Sequence, residues 1–319
     1  MIFANTLTRQ RSPQGDSVAS VIKEFFGDTV ENLSLIDKKQ NKSLKFAETN
    51  RLCRKKFKRL TGMSRRTFYL IVKIIKEYEK KKNKPGRPCR LIPEDQVLIA
   101  IQYWREYRTY FHIGCEWGVS ESMVCRTVHK VENLLIKSGK LSLPGQKELR
   151  KLSDPDTVLV IDVMESPIER PKKGQKGFDS GKQKEHTLKT QVIIDLKTKK
   201  IMCLRHGKGR MHDFKLFPKS QVKLPKTIKL LADKGYQGIV KIHELSEIPI
   251  RKPRGKNYSE EQRKYNRELG RIRVAVENVN RCLKIFKILS YPYRNRRCKF
   301  GLRSHLIAGI YHNDLGSKA

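Results

Sequence analysis

Thr157-Val158-Leu159-Val160-Ile161-Asp162-Val163 is an apolar run broken by a single acid near its end. A run of this kind suits a strand buried on both faces, the setting of a central strand in a sheet covered by helices. An aspartate inside it is costly to bury and needs a reason. Further short strands are expected over 191–195 and 201–204, joined by a hairpin turn at 196–200. Beyond them the pattern predicts a helix start at 212–217, a strand over 228–233, a helix over 239–245, a strand over 248–251 and a long charged helix over 260–289. This order predicts an α/β domain with a mixed five-stranded sheet.

Upstream the hydrophobic period is helical. Residues 1–46 are weakly patterned; a short amphipathic stretch at 18–26 is the exception, and no role is assigned to it. A basic run at 51–59 leads to Ser64, a natural N-cap for a helix over 67–82 with Phe68, Ile71, Ile74, Ile75 and Tyr78 at core spacing. Lys84-Pro85-Gly86-Arg87-Pro88 interrupts it, and a helix restarts over 93–107 with Val97, Leu98, Ile101 and Trp104 on one face. The polar connector 140–153, containing Pro144-Gly145, marks a boundary. The expected organisation is a leader over 1–46, a helical domain over 47–141 and an α/β domain over 150–315.

Within the helical part, 113–128 has the pattern helix, tight turn, helix. Gly118 stands where a short turn needs a positive φ, Ser120 caps the second helix, and Val119, Val124 and Val128 hold that helix on the first. Ser122, Arg126, His129 and Lys130 are then left for a ligand. A helix-turn-helix has this pattern and sets its second helix in the major groove; so does an ordinary pair of packed helices. Charge bears on the choice. Lys and Arg number 70 against 32 Asp and Glu, for a net charge of +38 and an isoelectric point near 10.1. An excess of that size draws a chain to phosphate backbones.

No segment approaches the ~20 apolar residues of a membrane span. The first residues turn polar too early for a secretory signal, so a cytoplasmic, nucleoid-associated protein with no membrane partner is expected. Cys53, Cys89, Cys115, Cys125, Cys203, Cys282 and Cys298 lack paired-ligand spacing, which argues against structural zinc.

Asp162 and Asp233 each end a predicted strand, at the edge where open α/β sheets place ligands. Converging carboxylates repel, and a divalent cation is the usual way to keep them ionised at neutral pH. Glu277 is the best third acid: Val276 and Val279 flank it in the late helix, and Arg273, Arg281 and Lys284 share its face. A strand-terminal Asp is also often a turn residue, and a Glu in an Arg-rich helix is often an ion-pair partner.

Five segments, in order, resemble the DDE transposases of bacterial insertion sequences, in the insertion-sequence-five group related to Harbinger-type elements. They are residues 161–171, 180–189, 209–214, 231–238 and 273–279. The resemblance spans about 48–314. It implies an RNase H-like fold behind the helix-turn-helix domain. It also implies a site in which Asp162, Asp233 and Glu277 ligate two Mg²⁺ ions, with Mn²⁺ able to substitute. Arg273 and Lys284 match the family's Y-x2-R-x3-E-x6-K pattern, with Gly270 at the tyrosine position. The implied partner is double-stranded DNA, both element ends and target, bound by a dimer or larger assembly.

His212-Asp213 belongs to the same pattern, with Asp213 expected to cap a helix, and Glu165 is expected near the site. Lys182 and Lys184 on the segment before the second strand, Arg254 in the basic stretch 251–256, and Arg294-Asn295-Arg296-Arg297 are expected to hold DNA backbone. The rival expectations are a catalytically silent DNA-binding protein derived from a transposase and an RNase H-like enzyme acting on hybrids or junctions.

Overall fold

The computed structural model describes residues 46–81, 89–252, 255 and 257–316. The stretch at 18–26, the Lys84–Pro88 break and Arg254 lie outside these residues. Six helices come first among those described: α1 (Phe46–Arg51), α2 (Arg54–Thr61), α3 (Arg65–Lys80), α4 (Pro93–Arg105), α5 (Tyr110–Trp117) and α6 (Glu121–Ser138). The caps are those the sequence calls for. Ser64 accepts from the Thr67 amide and Ser120 from the Met123 amide, each satisfying an otherwise unpaired first-turn donor. Gly118 ends α5 with φ 61°. Gly114 is needed for a different reason: a Cβ there would lie 2.7 Å from the Val119 carbonyl oxygen, so only glycine lets α5 approach the turn so closely. Tyr78 departs from expectation and is exposed, since α3 ends at Lys80 with its last turn beyond the core.

After α7 (Gly145–Lys151) come β1 (Val158–Pro167), β2 (Thr187–Asp195), β3 (Ile201–Lys208), α8 (Asp213–Lys219), β4 (Lys229–Leu231), β5 (Ser246–Glu247), α9 (Glu260–Lys284) and α10 (Phe300–Leu315). The sheet has the order β3-β2-β1-β4-β5. β1, β2 and β3 form an antiparallel meander, while β4 and β5 run parallel to β1. This is the mixed five-stranded sheet flanked by helices expected of an RNase H-like fold.

The later boundaries moved for identifiable reasons. The expected helix over 239–245 is a single 3₁₀ turn, Ile239–Lys241, entered through Gly238 at φ 93°. The expected last strand shifts from 248–251 to Ser246–Glu247, because the amides of Leu230 and Ala232 bond to the carbonyls of Leu245 and Glu247. Parallel pairing with β4 therefore selects the strand over local propensity. The late helix stops at Lys284, and a 3₁₀ turn at Lys287–Leu289 follows.

Side chains alternate across β1. Leu159 and Ile161 join a core with Ile193, Phe217 and Tyr236. Val160 and Met164 point the other way, into a core shared with Val276, Val279 and Leu283 of α9 and with Phe68, Trp104 and Val128 of the helical region. That second core is continuous from the helix-turn-helix to the sheet. Asp162 lies between Val160 and Met164 in the alternation, on the face that α9 covers.

Candidate active site

The pairing of β1 with β4 brings the two aspartates level. Val160 is opposite Leu231 in that parallel register, and two further steps set Asp162 beside Asp233 just past the end of β4. Neighbouring strands are about 4.8 Å apart, so the two carboxylates open onto one spot. Asp233 is just past the end of β4, but Asp162 does not end its strand as expected, because pairing with β2 carries β1 on to Pro167.

α9 supplies what lies above them. Its apolar stripe, Val276, Val279 and Leu283, packs down on the sheet. That orients the residues at helical spacing alongside it, Arg273, Glu277, Asn280 and Lys284, towards the acids or the solvent next to them. Arg273 reaches both aspartates, with Nη1 3.0 Å from Asp233 Oδ1 and Nη2 3.9 Å from Asp162 Oδ1. Asn280 donates from Nδ2 to Asp162 Oδ2 at 2.9 Å. Its own Oδ1, like Arg273 Nε, is buried without a partner. Glu277 is exposed and hydrogen-bonds to neither aspartate, and Lys284 is exposed at the helix end.

Burial pushes the Asp162 carboxyl up to about 6. Arg273 opposes that shift, and the charges of Asp233 and Glu277 add to it. Asp162 therefore senses both other acids, and a cation that neutralised them would favour its ionised form.

As placed, no group of three or more His, Cys, Asp or Glu side chains among the described residues is close enough to hold a metal ion. The Arg273 guanidinium lies against the two aspartates instead. The donor chemistry nevertheless suits a hard divalent cation: all three acids offer oxygen, Asp162 and Asp233 are adjacent, and a positive group already lies between them.

A second polar cluster occupies the opposite face of the sheet. Lys189 on β2 donates to the Met211 carbonyl and to Asp213, both at 2.8 Å, and is 3.7 Å from Glu165. Thr187 donates to Glu165 at 2.8 Å. Asp213 was expected to cap α8, but His212 holds the cap position without a side-chain bond and Asp213 is the first helical residue. Its carboxylate goes to Lys189, which is the stronger partner. The Tyr236 hydroxyl is buried and unpaired nearby. Burial, and then the charges of Asp213, Asp162 and Asp233, raise its pKa well above the ordinary value.

The residues expected to contact a ligand on α6 divide into two pairs. Ser122 and Arg126 are exposed on its outer face. His129 is half-buried beside Cys125, 3.9 Å from its sulfur, and burial followed by the charge of Lys299 lowers its pKa. Lys130 pairs with Glu79 and donates to Gln96 at 2.9 Å. Lys182 and Lys184 are exposed on the connector between β1 and β2.

Sequence reasoning missed Asn280. The available signal was a polar residue three positions after Glu277, inside the otherwise apolar stripe of Val276, Val279 and Leu283.

Residues 161–309 match the family model described as DDE superfamily endonuclease, and residues 89–141 match the helix-turn-helix of DDE superfamily endonuclease. A protein of Microchaete diplosiphon named as a transposase for insertion sequence element IS702 is 62% identical over 276 residues, covering 86% of this chain and 100% of that protein. One of Streptomyces albus G, named as a transposase for insertion sequence element IS112, is 28% identical over 257 residues, covering 78% and 90% respectively. No solved structure matches the chain.

Proposed function

The chain belongs to the DDE superfamily endonucleases as an insertion-sequence transposase, and from that premise we propose that it binds the terminal inverted repeats of its element and cuts and joins DNA at Asp162, Asp233 and Glu277. The observation that carries this reading is Arg273 reaching both aspartates where the β1–β4 register sets them side by side. Its helix-turn-helix domain makes it a DNA-binding protein. No helix among the described residues is long and apolar enough to cross a membrane.

DDE endonucleases generally depend on a divalent metal. Here Asp162, Asp233 and Glu277 would hold Mg²⁺, two ions in the full site, with Mn²⁺ as a substitute. Bound there, the metal would polarise the scissile phosphodiester and lower the pKa of the attacking water. Asn280 keeps the Asp162 carboxylate turned towards the site. Arg273, midway along α9, and Lys284, at its C-terminal end, neutralise phosphate charge as the bond is cut. Hydrolysis leaves a 3′-hydroxyl on the element, and attack of that hydroxyl on a target phosphodiester joins the two DNAs and releases a target 3′-hydroxyl.

For recognition, the exposed pair Ser122 and Arg126 face the major groove, while His129 and Lys130 brace α6 from behind. Lys182 and Lys184 hold backbone phosphate beside the site, and Arg254 is assigned the same role from its sequence context. Holding two ends at once calls for a dimer or larger assembly on DNA. Cleavage of a repeat-ended duplex with Mg²⁺ or with EDTA tests the proposal. Cutting with Mg²⁺ only, lost in Asp162→Asn while repeat binding persists, supports it. Full cutting by Asp162→Asn contradicts it, and binding without any cutting supports a silent DNA-binding protein instead.

A further inference from the structure

The recognition helix is joined to the strand that carries Asp162 by a buried, directional chain of contacts. Glu132 on α6 is fully buried and Arg303 on α10 is 1% exposed. Arg303 Nε donates to Glu132 Oε1 at 2.6 Å, and Trp104 donates to the same oxygen at 3.2 Å. The other end of the guanidinium donates from Nη1 to the Tyr293 hydroxyl at 2.8 Å. Tyr293, itself fully buried, is bound through its backbone to the end of β1. Its amide donates to the Pro167 carbonyl at 2.9 Å, and its carbonyl accepts from the Glu169 amide at 3.3 Å. Pro167 is in the same strand as Asp162, five residues on. A parallel path runs beside it: Tyr107, in the left-handed region at φ 55°, accepts at its hydroxyl from the Arg294 amide at 2.6 Å.

A buried ion pair is a poor way to add stability, since apolar side chains of similar volume hold two helices together as well or better. What it does impose is one geometry, because any slippage of α6 on α10 would strand charges out of water. A continuous apolar core from the helix-turn-helix to the sheet lies around the pair, so the two parts do not hinge freely there.

We infer that the Glu132–Arg303–Tyr293 chain makes the protein a ruler: it fixes the distance from the base pairs read by α6 to the phosphodiester presented to Asp162, and so selects which bond is cut. This rests on the reading that α6 binds the terminal repeat and that Asp162 serves the cutting site. Glu132, Arg303 and Tyr293 are positioning residues, acting through the elements they join and touching no DNA.

The test uses the full chain, Mg²⁺ and a labelled duplex ending in the inverted repeat that flanks the gene, with the cut mapped to single-nucleotide resolution. The wild-type protein is given a series in which one, two or three base pairs are inserted between the repeat and the natural cut. The ruler requires the cut to keep its distance from the repeat, moving off the natural junction by the inserted length. A cut that stays at the junction sequence at every spacing overturns it, and this arm depends on no variant folding.

In a second arm, the double variant Glu132→Leu/Arg303→Met keeps the apolar volume without the charge geometry. It is expected to bind the repeat within about twofold of wild type and to spread its cuts over neighbouring bonds. A folded double variant that cuts only the wild-type bond also overturns the ruler. Wild-type protein that neither binds nor cuts the duplex contradicts the underlying transposase reading, an outcome separate from either of these.

Discussion

Asn280 donates a 2.9 Å hydrogen bond to Asp162, so one face of α9 fixes the orientation of an acid 118 positions earlier in the chain. The bond passes between a helix and a strand that the fold alone brings together. With one Asp162 oxygen engaged by Asn280 and the other facing Arg273, the carboxylate is aimed before any ligand arrives.

That bond predicts a binding phenotype. Asn280→Ala removes the orienting donor and leaves the three acids in place. Loss of such an outer contact typically weakens metal affinity by about 10- to 100-fold. Mn²⁺ calorimetry on the variant should show a loss of that order, with the fold intact by circular dichroism; unchanged affinity would detach Asn280 from the site.

The raised pKa of Asp162 predicts how stability changes with pH. Its folded value of about 6 lies above the ordinary 3.8, so between these values the folded chain binds more protons at this site than the unfolded chain does. Stability contributed here falls as pH rises through that window. Asp162→Asn should therefore be more stable than wild type at pH 8, by up to about 3 kcal/mol at 1.36 kcal/mol per pKa unit. The gain should shrink towards pH 4. Thermal midpoints at the two pH values check this, and an equal gain at both contradicts it.

The same proton competes with a metal. Affinity for Mn²⁺ should fall by about tenfold per pH unit below pH 6, as one proton is displaced on binding. Arg273 holds the Asp162 pKa down, so Arg273→Met should move that midpoint to higher pH. A midpoint that stays put would mean the guanidinium does not act on Asp162.

Gly114→Ala tests the turn. The added methyl would sit 2.7 Å from the Val119 carbonyl oxygen, a backbone atom that cannot step aside. Overpacking of this kind costs about 1–3 kcal/mol, so the thermal midpoint should drop and repeat binding should weaken with it. A variant with wild-type stability and binding would show that α5 and the turn are not packed this tightly.

Much of this was legible in the sequence because it depends on local pattern. The buried apolar strand through Asp162, the Gly118 turn and the Ser64 and Ser120 caps follow from burial period and backbone preference, and the structure carries each of them, although β1 runs on to Pro167 and does not end at the acid. What was not legible depends on partners distant in sequence. β5 fell at 246–247 rather than 248–251 because the β4 register decides it. Lys130, free by helical position, is claimed by Glu79 and Gln96 on other helices. Asp213 left its capping role for Lys189, which no spacing rule connects to it. Arg273 was expected beside phosphates, and its placement against both aspartates appears only once β1, β4 and α9 are assembled.

Whether residues 162, 233 and 277 share a metal is answered by locating a bound metal in the protein. Fe²⁺ in place of Mg²⁺, with ascorbate and peroxide, generates hydroxyl radicals that cut the backbone next to the ion. Cuts are expected to cluster around Asp162, Asp233 and Glu277, to be suppressed by excess Mg²⁺ and to be lost in Asp162→Asn. Cuts clustered elsewhere, or a pattern indifferent to Mg²⁺ and to that substitution, would contradict a shared metal.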